Sequence, residues 1–135
     1  MGSEVLRPSD TMARVGVASK LQIKPGQSVC VIGRPQDATL DLGQEPELAQ
    51  DPTTSDAVIV YCTTGADLEQ LSEPLLAAAR RDALTWVAYP KAGQLGTDLN
   101  RDKLAALVGP EGVRPVRQIA IDAVWSALRL RPARS

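Results

Sequence analysis

Two cations stand where they could grip an anion. Arg34 follows the apolar run Ser28-Val29-Cys30-Val31-Ile32-Gly33, and Lys91 follows the run from Leu84 to Pro90. Between them in sequence, Thr64 and Gly65 open a helix-like stretch, and a helix amino terminus offers free N–H groups to a phosphate or carboxylate. A second polar cluster, Thr97-Asp98-Leu99-Asn100-Arg101-Asp102, gathers carboxylates and a guanidinium where another helix begins. Asp122 and Trp125 bracket a turn, with an indole that could stack on a planar ligand. The candidate ligand-binding set is therefore Gly33, Arg34, Thr64, Lys91, Asp98, Arg101, Asp122 and Trp125. No residue is assigned a catalytic role. The chain has no histidine, which removes Ser-His-Asp and Cys-His catalysis, imidazole acid–base work and histidine-containing metal sites.

Each candidate also has a structural explanation. Arg34 and Lys91 pair with acids such as Asp98 or Asp122, Thr97 or Asp98 caps a helix, and Trp125 closes the end of a core short of aromatics. Cys62 ends a strand just before a helix amino terminus, a place that lowers a thiol pKa. It lacks a neighbouring lysine in sequence, and Cys30 is core filler. Neighbouring strands could bring the two thiols together, but a cytosolic setting disfavours a disulfide. Acids between Asp37 and Asp56 show no metal-loop spacing. Neither a metal nor a cofactor is expected.

The elements that must position these residues alternate in type. Asp10 can cap a helix carrying Met12, Val15 and Leu21, stopped at Lys24-Pro25-Gly26. Unbroken apolar runs at 28–32, Ala57 to Tyr61 and Leu84 to Ala88 predict strands buried on both faces, as in a parallel sheet covered by helices. Thr39-Leu40-Asp41-Leu42 reads as a short strand or a helical turn. The leucines at 68, 71, 75 and 76 predict a helix from Ala66 to Arg81, with Thr64 and Asp67 resembling a capping box and Pro74 expected to kink or restart it. A shorter helix begins at Asp98 or Asn100 and runs to about Val108, before Gly109-Pro110. Val116 to Ile121 and Trp125 to Leu130 form a terminal hairpin. The expected fold is α/β, a three-layer Rossmann-like sandwich whose mostly parallel sheet ends in a C-terminal antiparallel hairpin. Residues 1–10 are expected to be a flexible lead, and 11–135 a single domain.

In such sheets ligands bind beyond the carboxyl ends of the parallel strands. Gly33-Arg34, Cys62 to Gly65, Tyr89 to Lys91 and the turn at Asp122 are expected to converge there.

This order of elements, opened by Lys24-Pro25-Gly26-Gln27-Ser28-Val29-Cys30-Val31-Ile32-Gly33, resembles the class I methyltransferases, Rossmann-like proteins whose sheet also ends in an antiparallel hairpin. More closely, four blocks resemble a family of short bacterial proteins catalogued as domain of unknown function 3052. They are the Lys24–Gly33 segment, Trp86 to Lys91, Thr97 to Asp102 and Trp125 to Pro132. The resemblance implies a fold and no activity. Departures from a methyltransferase are plain. After the first strand stands Gly33-Arg34-Pro35-Gln36-Asp37, with one glycine and a proline that lacks an N–H. Only 18 residues separate Asp37 from Asp56, too few for a strand-helix-strand that would present a ribose-binding acid, and Asp41 is the sole stand-in. S-adenosylmethionine binding is not expected.

The 135 residues carry 15 Lys+Arg against 16 Asp+Glu, a balance without global attraction for nucleic acid or anionic membrane. Locally, Pro35 to Ala79 holds nine acids and no base, whereas Val113 to Ser135 holds five arginines and one acid. These are two solvated edges of one domain, or a basis for head-to-tail self-association or for an acidic partner at the Arg-rich end. No signal peptide or membrane-length apolar run is present, so a cytoplasmic protein is expected. The preferred reading is a non-catalytic binding or regulatory module whose partner is a small anionic ligand or a protein. The alternatives are a divergent S-adenosylmethionine-dependent methyltransferase-like enzyme, with Asp98, Asp102 or Asp122 as a base in another version. A nucleic-acid-associated protein using Arg114, Arg117, Arg129 and Arg131 with Trp125 stacking is least favoured.

Overall fold

The computed structural model describes residues 17, 19–24, 26–36, 38, 40, 47–48 and 51–133. Its strands are β1 (Ser28–Ile32), β2 (Glu47–Leu48), β3 (Ala57–Tyr61), β4 (Leu84–Pro90), β5 (Val113–Ala120) and β6 (Trp125–Pro132). The helices are α1 (Gly65–Arg80) and α2 (Arg101–Val108), the latter running into a 3-10 turn at Gly109–Glu111. All six strands form one sheet in the order β2-β1-β3-β4-β6-β5. β2, β1, β3 and β4 are parallel, and β6 is antiparallel to both β4 and β5. The protein is an α/β, Rossmann-like sandwich whose sheet is closed on one side by an antiparallel hairpin.

Side-chain alternation along β3 explains its central place. Val58, Val60 and Cys62 face Leu68, Leu75 and Leu76 of α1 and Leu104 and Val108 of α2. Ala57, Ile59 and Tyr61 face the other way, onto Leu21, Ile23, Trp86 and Trp125. Every residue of β3 is buried, each large aliphatic contributing about 1.5–3 kcal/mol by leaving water. The second layer of cover comes from Val17, Leu21 and Ile23 with Ala38 and Leu40. Trp86 Nε1 donates to the Leu21 carbonyl at 2.9 Å, which satisfies the buried indole and ties that segment down.

α1 starts with the capping box read from the sequence: Thr64 Oγ1 accepts from the Asp67 N–H, and the Asp67 carboxylate accepts from the Thr64 N–H. Pro74 does not end the helix, which runs as one element of 16 residues. Packing of Leu75 and Leu76 against the sheet outweighs the backbone bond the proline forfeits. α2 is capped by Asn100, whose side chain accepts from the Lys103 N–H at 2.8 Å.

Several expectations need correction. The strand beside β1 is Glu47–Leu48; of the expected short strand or helical turn at 39–42, Leu40 is irregular, and Thr39, Asp41 and Leu42 lie outside the described residues. Two residues are too short to leave a hydrophobic pattern. The expected helix from Asp10 also lies largely outside the described residues, of which only 17, 19 and 20 are helical. The hairpin strands extend further outward than predicted, with a register shift between Pro115 and Arg117. That bulge and the proline sit on β5, the sheet's edge, where both discourage further strand pairing.

Candidate functional site

Because β1, β3 and β4 are parallel, their carboxyl ends share one edge, and β5 ends there too. Hydrogen bonds tie several of the expected segments to their neighbours. The Lys91 N–H donates to the Val124 carbonyl at 2.7 Å, and Thr97 Oγ1 donates to the Thr63 carbonyl at 2.6 Å. Gly33 lies under β3: a Cβ there would stand 3.0 Å from both the Tyr61 carbonyl oxygen and Leu71 Cδ1. Arg34 and Asp122 both act electrostatically on the Tyr61 hydroxyl.

Asp98 is tightly engaged. Its carboxylate accepts from the Gly65 N–H at 2.9 Å and from Lys103 Nζ at 3.1 Å. Those bonds, the Gly65 N–H foremost, hold its pKa below the usual carboxylate range. Asp67 accepts from the Thr63 and Thr64 N–H groups at 3.0 and 3.3 Å. The amino terminus of α1 is thus supplied with two carboxylates of the chain itself, the position Thr64 and Gly65 were expected to offer a ligand. Asp122 Oδ1 accepts from the Val124 and Trp125 N–H groups, both at 2.8 Å, and so shapes the hairpin turn. Trp125 is buried, with its ring 5.0 Å from that of Tyr61 at 69°.

The cations differ. Arg34 donates to the Ala38 carbonyl, and neither it nor Lys91 forms an ion pair among the described residues. The expected pairing with Asp98 or Asp122 is replaced by Lys103 in one case and backbone N–H groups in the other. Arg34 and Lys91 flank β3 from β1 and β4, so their backbones are about two strand spacings, ~10 Å, apart. Arg101 opens α2, exposed, 3.6 Å from Asp102.

Tyr61 is the residue the sequence reading missed. Its hydroxyl is buried at this edge with no hydrogen-bond partner among the described residues, and burial pushes its pKa up to about 12. The signal available was a phenol ending an otherwise aliphatic strand, in a chain with only two tyrosines.

Cys62 is buried, and that burial, with Asp67 nearby, pushes its pKa up to about 12, the reverse of the lowering expected at a helix amino terminus. A disulfide with Cys30 is ruled out by register. Cys30 pairs with Val58, four residues before Cys62, or about 13 Å along the strand, twice the usual span of a disulfide. Among the described residues no group of three or more His, Cys, Asp or Glu is arranged to hold a metal ion. No described helix is long and apolar enough to cross a membrane. Trp125 heads β6 whereas Arg129 and Arg131 lie near its far end, so indole and arginines are not brought together as one surface. Elsewhere, a groove of about 500 Å³ runs between α1 and α2, past Leu76, Leu107 and Val108.

S-adenosylmethionine is the cofactor this type of sheet brings to mind, and the residues do not fit it. The one glycine after β1 is covered by Leu71 and the Tyr61 carbonyl, Pro35 lacks an N–H, and Asp41 precedes β2 instead of following it. Asp51, beyond β2, has its carboxylate on the Thr53 N–H and hydroxyl.

No known family profile and no curated protein matches the sequence. Among solved structures, a S-adenosylmethionine-dependent methyltransferase from Aquifex aeolicus is similar, with a TM-score of 0.54 at 11% identity, over 94% of this chain and 95% of that one. A ribosomal protein L11 methylase from Lactobacillus delbrueckii subsp. bulgaricus is similar with a TM-score of 0.50 at 12% identity, over 93% of this chain and 79% of that one. At such identities the likeness is one of fold: the chain has a methyltransferase-like, Rossmann-like architecture.

Proposed function

We propose that the chain is a non-catalytic binding module on a methyltransferase-like fold, and that it takes a small anionic ligand at the carboxyl edge of its parallel strands. One observation carries this reading: at that edge the carboxylates of Asp98 and Asp122 are consumed by the fold, while the cations are left over. Asp98 and Asp122 hold backbone N–H groups, and Cys62 stays a thiol. Arg34 and Lys91 have no carboxylate partner among the described residues. The unpartnered Tyr61 hydroxyl beside Arg34 offers a further donor. A carboxylate or phosphate bridging Arg34 and Lys91 would meet charge-assisted donors from two strands. The resemblance of four sequence blocks to the domain of unknown function 3052 family supports a place in that family as part of this proposal, alongside the finding that no family profile matches.

Thermal-shift titration separates this from the enzymatic alternative. Small carboxylates or phosphates are expected to raise Tm saturably, Arg34→Ala and Lys91→Ala are each expected to weaken the effect, and S-adenosylmethionine and S-adenosylhomocysteine are expected to do nothing. Saturable stabilisation by the adenosyl compounds at micromolar concentration would replace this reading with that of a divergent methyltransferase.

A further inference from the structure

At the opposite edge, where the parallel strands begin, lies a polar hollow of about 560 Å³ bordered by Lys24, Asp56, Arg81, Asp82 and Arg129. Its two carboxylates are already engaged. Asp56 accepts from the Ser28 N–H and hydroxyl at 2.9 and 3.3 Å. Asp82 takes both oxygens to Arg131, at 3.0 and 2.9 Å. Its three cations are not: Lys24, Arg81 and Arg129 form no ion pair among the described residues. Among the described residues Arg81 donates through Nη2 alone, to the carbonyls of Pro52 and Ser55. Arg129 gives Nη1 to Gln22 Oε1 at 2.6 Å, and its Nε is buried without an acceptor.

The hairpin makes this shortage worse. Its register sets Arg117 opposite Arg129 and Arg114 opposite Arg131, and like charges directly opposite destabilise a strand pair. Arg114, Arg129 and Arg131 all act on the single carboxylate of Asp82. Burial, then the charge of Arg131, lowers the Arg129 pKa from its ordinary value, with Asp82 opposing and Arg117 adding to the shift. A half-buried guanidinium with one edge free, sharing the Asp82 carboxylate that Arg131 already holds through both oxygens, is costly unless an anion completes it.

We propose that this hollow is an anion site whose ligand is a small molecule carrying a phosphate or diphosphate group, held by Arg129, Arg81 and Lys24. Guanidinium forks and an ammonium point charge, from three different elements, suit an oxyanion with several acceptor oxygens. The volume lies within the range of small-molecule sites, about 300–1,000 Å³. The site is on the far edge of the sheet from Arg34 and Lys91, and it stands or falls independently of them.

Calorimetric and thermal-shift titration of the full chain with pyrophosphate, at constant ionic strength, tests this. Saturable binding is expected. Lys24→Ala and Arg129→Lys should each weaken it by about tenfold to a hundredfold, as for loss of a charged hydrogen-bond partner. Arg80→Ala, which removes an equal charge beside Glu111, should leave it unchanged. Lys24 is exposed, so its variant folds whatever becomes of Arg129. Absence of saturable binding, or an equal loss in Arg80→Ala, would overturn the proposal. Loss in Arg34→Ala with retention in Lys24→Ala would also overturn it, by moving the anion to the carboxyl edge. Stabilisation by a short DNA duplex and not by pyrophosphate would do the same, making the arginines a phosphate-backbone surface.

Discussion

Replacing Tyr61 with phenylalanine removes one oxygen and little else. The ring keeps its edge-to-face contact with Trp125 at 5.0 Å and its place in the core, where the residue is 2% exposed. The deleted hydroxyl has no partner, and a buried hydroxyl without one costs about 1–3 kcal/mol. Tyr61→Phe is therefore expected to stabilise the ligand-free protein, by about 1–2 kcal/mol after the cost of reshaping the vacated space. For a domain of this size that is a rise in Tm of about 4–7 °C. Urea and thermal unfolding followed by circular dichroism measure both. The same substitution is expected to weaken stabilisation by a small anion at the carboxyl edge, because a donor is lost there. A variant less stable than the parent would show that the hydroxyl is satisfied in solution, and the reasoning that treats it as an unmet donor would fail.

Other expectations follow from the same geometry. Gly33→Ala places a Cβ at φ +75 against the Tyr61 carbonyl and Leu71; it is expected to cost about 2–4 kcal/mol, read from the urea midpoint. Cys62, with its pKa raised from 9.0 to about 12, should resist iodoacetamide at pH 8 and react only after unfolding. Its contribution to stability is complete below pH 9 and is lost as pH rises toward 12, so Tm should hold to about pH 9 and then fall. Tyr61, raised from 10.0 to about 12, acts in the same direction. Asp98, held below the usual carboxylate range, contributes in the opposite sense: present at neutral pH, lost as acid carries pH through its depressed pKa. The Tm difference between the parent and Asp98→Asn is expected to shrink on acidification.

Which residues the fold gathers, and which role each takes, were legible to different degrees. The capping box at Thr64 and Asp67 was readable because its bonds span three residues, and so was the strand Ala57–Tyr61, since five consecutive buried positions admit little else. The convergence of Gly33, Lys91 and Asp122 on one edge followed from strand direction. Tyr61 was not readable, because whether a phenol ends a strand satisfied or orphaned depends on neighbours far away in the chain. Asp98 looked like a cap for its own helix. It instead reaches Gly65, 33 residues back, at the amino terminus of the other one.

The absence of histidine, the apolar runs and the turn residues by themselves determined the class of fold and a list of chemistries the chain does not perform, because those depend on residue types and local spacing. Tertiary structure alone decided which charges are neutralised. Asp98 and Asp122 are taken up by backbone N–H groups, Asp82 by Arg131, and Arg129 is left with a single neutral partner, Gln22. Charge compensation acts over a few ångströms between residues as far as 49 positions apart, as Asp82 and Arg131 are, a proximity no linear pattern encodes.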